Sequence, residues 1–148
     1  MRKTISKIPL ELLNLEGDGG HHLMVEARVN NKPVRLLVDT GASKTVFDKQ
    51  RLQNLLHEGA GDDFEDMDQL STGLGTNSMQ GQVAVLDSFE FGGAKIEEYP
   101  VVVLDMNHVN QSYEMIGDRG IDGVLGSDLL KQFDAVIYFK KKELKIYY

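Results

Sequence analysis

Alternation of apolar and polar residues, interrupted by turn formers about every ten positions, constrains this chain more than any other feature. Apolar side chains fall at Leu23, Val25, Ala27 and Val29, and after Asn30-Asn31-Lys32-Pro33 the pattern resumes at Val34, Leu36 and Val38. Side chains two apart share one face of a strand, so this segment reads as a hairpin that ends at Asp39. Thr45-Val46-Phe47 reads as a third strand, and Asp48 then caps a short helix with Leu52, Leu55 and Leu56 on one face. Glycines at 73, 75 and 81 flank the polar tip of a second hairpin, whose arm from Gln82 to Phe91 places Val83, Val85, Phe89 and Phe91 on one face. Tyr99 to Leu104 is a near-continuous apolar strand. Val124-Leu125-Gly126 reads as a buried strand, followed by a helical turn capped by Ser127 or Asp128 and running through Gln132. Ala135–Phe139 and Leu144–Tyr148 form a last hairpin around Lys140-Lys141-Lys142. Glu58 to Asp68 and Asp105 to Gly120 lack periodicity and read as loops. The pattern predicts a mostly β fold with one or two short helices.

A chain of 148 residues suits one domain, read as a segment 1–20, flexible or strand-forming, and a folded unit 21–148. With no cysteine there is no disulfide, no thiolate nucleophile and no cysteine zinc site. The net charge of −7 repels phosphate backbones, and the three lysines at 140–142 are too small a patch to offset it, so no nucleic-acid partner is expected. No apolar run reaches the roughly 18 residues of a membrane span, and Glu11 and Asn14 interrupt the N-terminal stretch before a signal peptide could form, so the chain reads as cytoplasmic with no membrane partner. His21-His22 lacks a third ligand at metal spacing, and Asp62, Asp63, Glu65, Asp66 and Asp68 do not follow a calcium-loop pattern. Gly73-Leu74-Gly75 lacks the third glycine and the lysine of nucleotide loops. No metal and no cofactor are expected.

The chemistry is concentrated in Leu36-Leu37-Val38-Asp39-Thr40-Gly41-Ala42-Ser43. An aspartate straight after an apolar strand lies near the core, where its charge needs hydrogen bonds to persist. Thr40 supplies a short hydroxyl, and Gly41, lacking Cβ, lets backbone N–H groups approach the carboxylate. The bare tripeptide Asp-Thr-Gly would arise by chance in about 2–3% of chains this long, so on its own it is compatible with an ordinary turn.

This segment resembles the active-site loop shared by retroviral proteases and pepsins: apolar residues, Asp-Thr-Gly, Ala or Ser, then a polar residue. A second element of that family pattern, two apolar residues and a glycine before a short helix, follows at Val124-Leu125-Gly126-Ser127-Asp128-Leu129-Leu130. The resemblance, spanning roughly Leu23 to Tyr148, implies a closed β-barrel of the acid-protease (retropepsin) type. It implies Asp39 as the catalytic carboxylate, Thr40 and Gly41 as support of the catalytic loop, and Gly126 as a structural glycine behind the active site. It further implies Ala42, Ser43 and a flap at Gly73, Leu74, Gly75 and Thr76 as substrate-binding residues. Retroviral members usually carry an acid at the place of Ser43 and an arginine at the place of Ser127, an ion pair whose two halves are both absent here. The chain therefore resembles cellular and bacterial members more closely.

Peptide hydrolysis by this chemistry needs two carboxylates sharing a proton, and one Asp-Thr-Gly supplies one of them. Asp118-Arg119-Gly120 is the near-copy, but it follows no apolar strand and has arginine where the hydroxyl belongs. The reading is an aspartic endopeptidase that joins two Asp39 residues in a homodimer and acts on a peptide or protein substrate. The alternative is a retropepsin-fold module that binds peptides or dimerises without cleaving. The C-terminal strand Leu144–Tyr148 suits either the seam of that dimer or an ordinary sheet edge.

Overall fold

A computed structural model of the chain describes residues 4–14, 20–56, 64–66 and 81–148. The proposed flap at Gly73–Thr76 and most of the acidic segment lie outside the described residues. The elements in order are β1 (Ile5–Asn14), β2 (His21–Val29), β3 (Lys32–Val38), β4 (Val46–Asp48), α1 (Lys49–Leu55), β5 (Glu65–Asp66), β6 (Gln82–Phe91), β7 (Ala94–Leu104), α2 (Asn107–Met115), β8 (Gly123–Leu125), α3 (Ser127–Gln132), β9 (Val136–Tyr138) and β10 (Glu143–Tyr147). No helix among them is long and apolar enough to cross a membrane.

Six strands close on themselves in the order β6-β7-β4-β8-β3-β2, with β2 returning to β6 through Arg28↔Glu90 and Val29↔Phe89. Closure removes the sheet edges that would otherwise recruit foreign strands. Outside the barrel, β1 pairs with β2 at one end and with β10 at the other, and β9 lies beyond β10. The mostly β expectation and the closed barrel are thus observed.

Local chemistry accounts for several turns. Asn30 and Asn31 both adopt left-handed backbone, at φ 49° and 67°, which makes the two-residue loop that matches strand twist. The turn therefore ends at Asn31, and Lys32 and Pro33 belong to β3. Pro33 is tolerated because β8 pairs only with Leu36 to Val38, leaving the start of β3 unpaired on that side.

Strands β6 and β7 correct the expected face assignment. Ala84, Leu86 and Ser88 are buried, then Phe89 and Phe91, while Val85 is 57% exposed. The inward face switches between Ser88 and Phe89. Opposite this point Glu98 has φ 52°, and the pair Asp87–Glu98 is missing from an otherwise regular ladder. A strand that bends round a barrel corner in this way cannot keep one alternation phase along its length.

Val101 and Val103 point into the main core with Leu36, Phe47, Leu86, Phe89 and Leu125. Val102 and Leu104 point the other way, into a second cluster with Met24, Val46, Met106, Tyr113 and Ile121. This explains the unbroken apolar run at the end of β7, which is covered on both faces. The cover of the second face comes partly from α2, a helix inside the segment expected to be loop. Its buried positions are Asn110 and Tyr113, so a polar residue sits where a periodic apolar one would have announced the helix. Asn110 is satisfied there, donating to the Ile121 carbonyl at 3.1 Å and accepting from the Ile121 N–H at 2.9 Å. The acidic segment holds the two-residue strand β5 against Val83 and Gln82.

β8 is enclosed between β3, to which it is parallel, and β4, to which it is antiparallel. A Cβ added at Gly123 would lie 2.3 Å from the Val46 carbonyl oxygen and 3.1 Å from Phe47 Cα. Both neighbours are backbone, so the strands themselves would have to part. Gly123→Ala is expected to lower stability by roughly 2–3 kcal/mol, read as a lower denaturation midpoint at an unchanged slope. A midpoint equal to that of the parent chain would show that the β4–β8 contact is slack.

Candidate active site

The segment 39–45 connects β3 to β4 and passes over the end of β8. The Asp39 N–H donates to the Leu125 carbonyl at 3.0 Å, extending the β3–β8 ladder by one bond beyond Val38↔Leu125. The chain then turns: the Ala42 N–H donates to the Asp39 carbonyl at 3.2 Å, and the Gly41 N–H donates to Asp39 Oδ1 at 2.9 Å. A Cβ at Gly41 would stand 3.3 Å from that same oxygen, tight enough to push the carboxylate from its N–H donor. Asp39, Thr40, Gly41 and Ser43 are exposed and Ala42 is half-buried. The turn thus brings residues 39–43 together at the surface, with one oxygen of the carboxylate oriented by its own loop.

Gly126 is buried behind this turn. A Cβ there would come within 2.6 Å of the Lys44 carbonyl and 2.9 Å of the Ala42 carbonyl oxygen, so glycine is required for two backbones to cross. The Gly126 N–H donates to Thr45 Oγ1 at 3.1 Å, and the Ser127 N–H donates to the Ala42 carbonyl at 2.7 Å. Thr45, fully buried, in turn donates to Asp128 Oδ1 at 2.8 Å, while the Tyr99 hydroxyl donates to Asp128 Oδ2 at 2.7 Å. Asp128 is therefore no helix cap. Gly126 occupies the N-cap position of α3 without a side-chain cap bond, and both oxygens of Asp128 face β4 and β7 instead. Burial, then the hydrogen bond and charge of Asp128, push the Tyr99 hydroxyl pKa up, so it remains a donor through the neutral range. Where an acid and an arginine would tie loop to helix, this chain uses a backbone bond and the Thr45–Asp128 pair. Sequence reasoning missed Thr45 and Tyr99; a threonine heading a strand is common, and nothing in its spacing reveals an acid 83 positions later.

A second polar cluster gathers about Arg35, in the middle of β3. Arg35, 4% exposed, donates to Asp118 Oδ2 at 2.6 Å, to the Gly120 carbonyl at 2.8 Å and to Glu11 Oε1 at 2.8 Å. Its own N–H donates to Asp122 Oδ2 at 2.8 Å. Asp118 also accepts from the Gly120 N–H at 3.0 Å, the same carboxylate-to-glycine bond that Asp39 makes with Gly41. The likeness ends there. Burial alone would raise the Asp118 pKa, but hydrogen bonds from Arg35 and the Gly120 N–H, with the Arg35 charge, outweigh it and hold the carboxyl below the usual range. An acid engaged by a buried guanidinium cannot exchange protons with a substrate, so Asp118-Arg119-Gly120 is a structural turn. His22 is likewise occupied: its Nδ1 is 2.7 Å from the Tyr113 hydroxyl, and the rings meet edge to face at 5.9 Å.

A family model described as aspartyl protease matches residues 25–129, from β2 through the start of α3. No curated protein matches the chain. Among solved structures, a retropepsin-like aspartic protease from Rickettsia conorii is similar at TM-score 0.56 and 23% identity, over 99% of this chain and 95% of that one. The retroviral protease-like domain of Ddi1 from Leishmania major is similar at TM-score 0.54 and 18% identity, over 84% and 87% of the two chains. EIAV protease, in complex with the inhibitor HBY-793, gives TM-score 0.53 and 16% identity over 81% and 93%. At these identities the likeness establishes a common fold, the retropepsin-type barrel.

Two outcomes follow from the site's supports. Thr45→Val keeps the shape but leaves the Gly126 N–H and Asp128 Oδ1 without the threonine hydroxyl, and is expected to cost roughly 1–3 kcal/mol in denaturant unfolding; no loss would mean the hydroxyl is dispensable. Asp118→Ala is expected to cost roughly 3 kcal/mol near pH 7, because it strips a buried guanidinium of its closest carboxylate. Since the folded-state pKa of Asp118 is depressed, its stabilisation is present above the unfolded value of about 4 and is lost as pH falls through the folded value. The gap between variant and parent midpoints should therefore narrow in acid. A gap that widened would contradict the assignment.

Proposed function

The chain belongs to the aspartyl protease family, and on that premise we propose that it is an aspartic endopeptidase whose active site is completed by a second copy of itself. The observation that carries this reading is the position of Asp39, which is solvent-exposed at the tip of a braced turn with one oxygen fixed by the Gly41 N–H. The Asp118 turn, the near-copy in the same chain, is engaged by Arg35. A second acid then has to come from outside, and a two-fold axis beside Asp39 delivers an identical one.

In the resulting dyad two carboxylates share a single proton, since like charges that close do not both ionise readily. The ionised member takes a proton from a water held between them as the water attacks the peptide carbonyl. The protonated member hydrogen-bonds the carbonyl oxygen and neutralises the developing oxyanion, and the amine leaves with a proton from the dyad. Atoms balance: one water is consumed and an acid and an amine are formed. Thr40 is assigned to hydrogen-bonding across the axis, and Ala42, Ser43 and the Gly73–Thr76 flap to holding the peptide as an added extended strand. The Thr45–Asp128 pair and the glycine crossing keep the carboxylate in register with its mate.

Asp39→Asn should leave fold and mass unchanged and reduce cleavage of unfolded protein at pH 4–7 by at least about a thousandfold, since the proton relay loses a necessary member. Cleavage by the parent should be abolished by a statine-type transition-state mimic and follow a bell-shaped pH profile. Undiminished cleavage by the asparagine variant would overturn the assignment. A parent chain that dimerises and binds peptide without cutting it would favour a non-catalytic peptide-binding module instead.

A further inference from the structure

The three strands outside the barrel turn one face to the core and the other to solvent. β10 runs between β1 and β9, so Leu144–Tyr148 is an inner strand and not a sheet edge. Ile8, Leu144 and Ile146 are buried, and Ile137 packs against the core. Because side chains alternate along a strand, the outer face carries Ile5, Lys7 and Pro9 of β1, Glu143, Lys145 and Tyr147 of β10, and Val136 and Tyr138 of β9. Ile5, Lys7, Pro9, Val136 and Tyr138 are exposed there, and the three residues of β10 are half-buried.

The register sets two like charges against each other on that face, with Lys7 directly opposite Lys145. Thr4 and Tyr148 exchange both of their backbone bonds, at 2.8 and 2.9 Å. Pairs alternate along an antiparallel ladder, so Lys7 and Lys145 form a non-hydrogen-bonded pair, the kind in which side chains stand closest. Like charges so placed destabilise a sheet. The turn 139–142 adds Lys140, Lys141 and Lys142, all exposed, beside Phe139, which is 60% exposed. Lys141 Nζ lies 5.4 Å from the centre of the Tyr138 ring and Lys145 Nζ 5.7 Å from that of Tyr147, which ties the turn to the same face. Among the described residues no carboxylate is within ion-pair distance of any of the five ammoniums. Five lysines against the single acid Glu143 give these positions a net charge of +4, on a chain whose total is −7.

We propose that this face docks the chain onto an anionic lipid surface. Lysine is a compact charge on a long flexible stem and suits a diffuse array of headgroups, whereas one-to-one capture of a carboxylate or phosphate favours arginine, which the face lacks. Basic clusters of about four to eight residues are the size that holds a protein at an anionic leaflet, and five fall within that range. Tyr138 and Tyr147 pair an apolar ring with a polar tip, as the headgroup level requires, and Phe139 supplies an apolar group to enter the acyl boundary. A soluble acidic peptide would satisfy the lysines and leave Phe139, Ile5 and Val136 in water. The acids elsewhere on the chain oppose docking little, since salt near physiological strength screens charges beyond about 8 Å. The expectation of no membrane partner rested on the lack of a span, and a chain that lies on a bilayer needs none. The proposal uses none of the residues of the Asp39 turn and stands apart from the proteolytic reading.

The test is sedimentation of the full chain with vesicles of phosphatidylcholine, either alone or mixed with phosphatidylserine. At about 0.1 M salt the chain should sediment with the mixed vesicles and not with the neutral ones, and release should follow as salt approaches about 1 M, where screening shortens to about 3 Å. Lys7→Gln combined with Lys145→Gln should weaken binding roughly tenfold or more. The same double variant should keep or raise the denaturation midpoint, because it relieves a like-charge contact, whereas lysines with a merely structural role would lower it. Lys95→Gln, beside Glu90 and Glu97 on the other sheet, should bind as the parent does. No binding to the mixed vesicles, equal binding to both kinds, or undiminished binding by the double variant would overturn the proposal. Capture by polyglutamate or an oligonucleotide in place of the mixed vesicles would assign the face to a soluble polyanion and overturn it as well.

Discussion

Everything in this fold turns on one strand of three residues being held between two others without side chains in the way. β8 lies between β3 and β4, and the bond from the Asp39 N–H to the Leu125 carbonyl is the last rung of that arrangement. Because Gly123 and Gly126 lack Cβ atoms, backbone meets backbone at both ends of β8. The Asp39 turn thereby rests on main chain, whose position is determined by the barrel, and not on long side chains that would have rotamer freedom of their own. The carboxylate is presented at a surface yet inherits the rigidity of the core beneath it.

Two polar clusters secure that strand from opposite ends. Beneath the turn, Thr45 links the Gly126 N–H to Asp128, and Asp128 links α3 to Tyr99 on β7. At the far end, Arg35 gathers Asp118, Gly120 and Glu11 while Asp122 takes its backbone N–H, so the approach to β8 is tied to β3 before the strand begins. Arg35 and Thr45 are buried at the centres of these clusters, where hydrogen bonds count for more than they would in water, and each acid is already bonded to a donor. Asp39 differs from Asp118, Asp122 and Asp128 in being exposed and, among the described residues, in taking its hydrogen bond from its own loop alone. That contrast separates the acid free for chemistry from those committed to structure.

Much of this was legible in the sequence because it depends on local rules. Alternation from Leu23 to Val38 and the Asp-Thr-Gly after an apolar strand announce the first hairpin and the turn at Asp39, and Val124-Leu125-Gly126 announces the strand behind it. What stayed hidden was non-local. The face switch at Ser88–Phe89 depends on a barrel corner, which moves the phase inside a strand that stays continuous from Gln82 to Phe91. Helix α2 buries Asn110 and Tyr113 in place of an aliphatic stripe, so its period was masked by a polar residue whose partners are the backbone of Ile121. Asp128 looked like a helix cap because an acid at a helix start usually is one; the hydroxyls of Thr45 and Tyr99 compete for it successfully. The C-terminal hairpin is visible in the local pattern, but which of its strands forms the edge depends on β1, more than a hundred residues away.

Each chain is proposed to hold one half of a catalytic pair, and subunit mixing tests this most directly. Parent and Asp39→Asn chains would be unfolded together, refolded in varying ratios at constant total concentration, and assayed for peptide cleavage. If two Asp39 residues act as a pair, activity follows the square of the parent fraction, so an equal mixture retains about a quarter of full activity. A linear fall, leaving half the activity in the equal mixture, would mean that one chain suffices and would contradict the account.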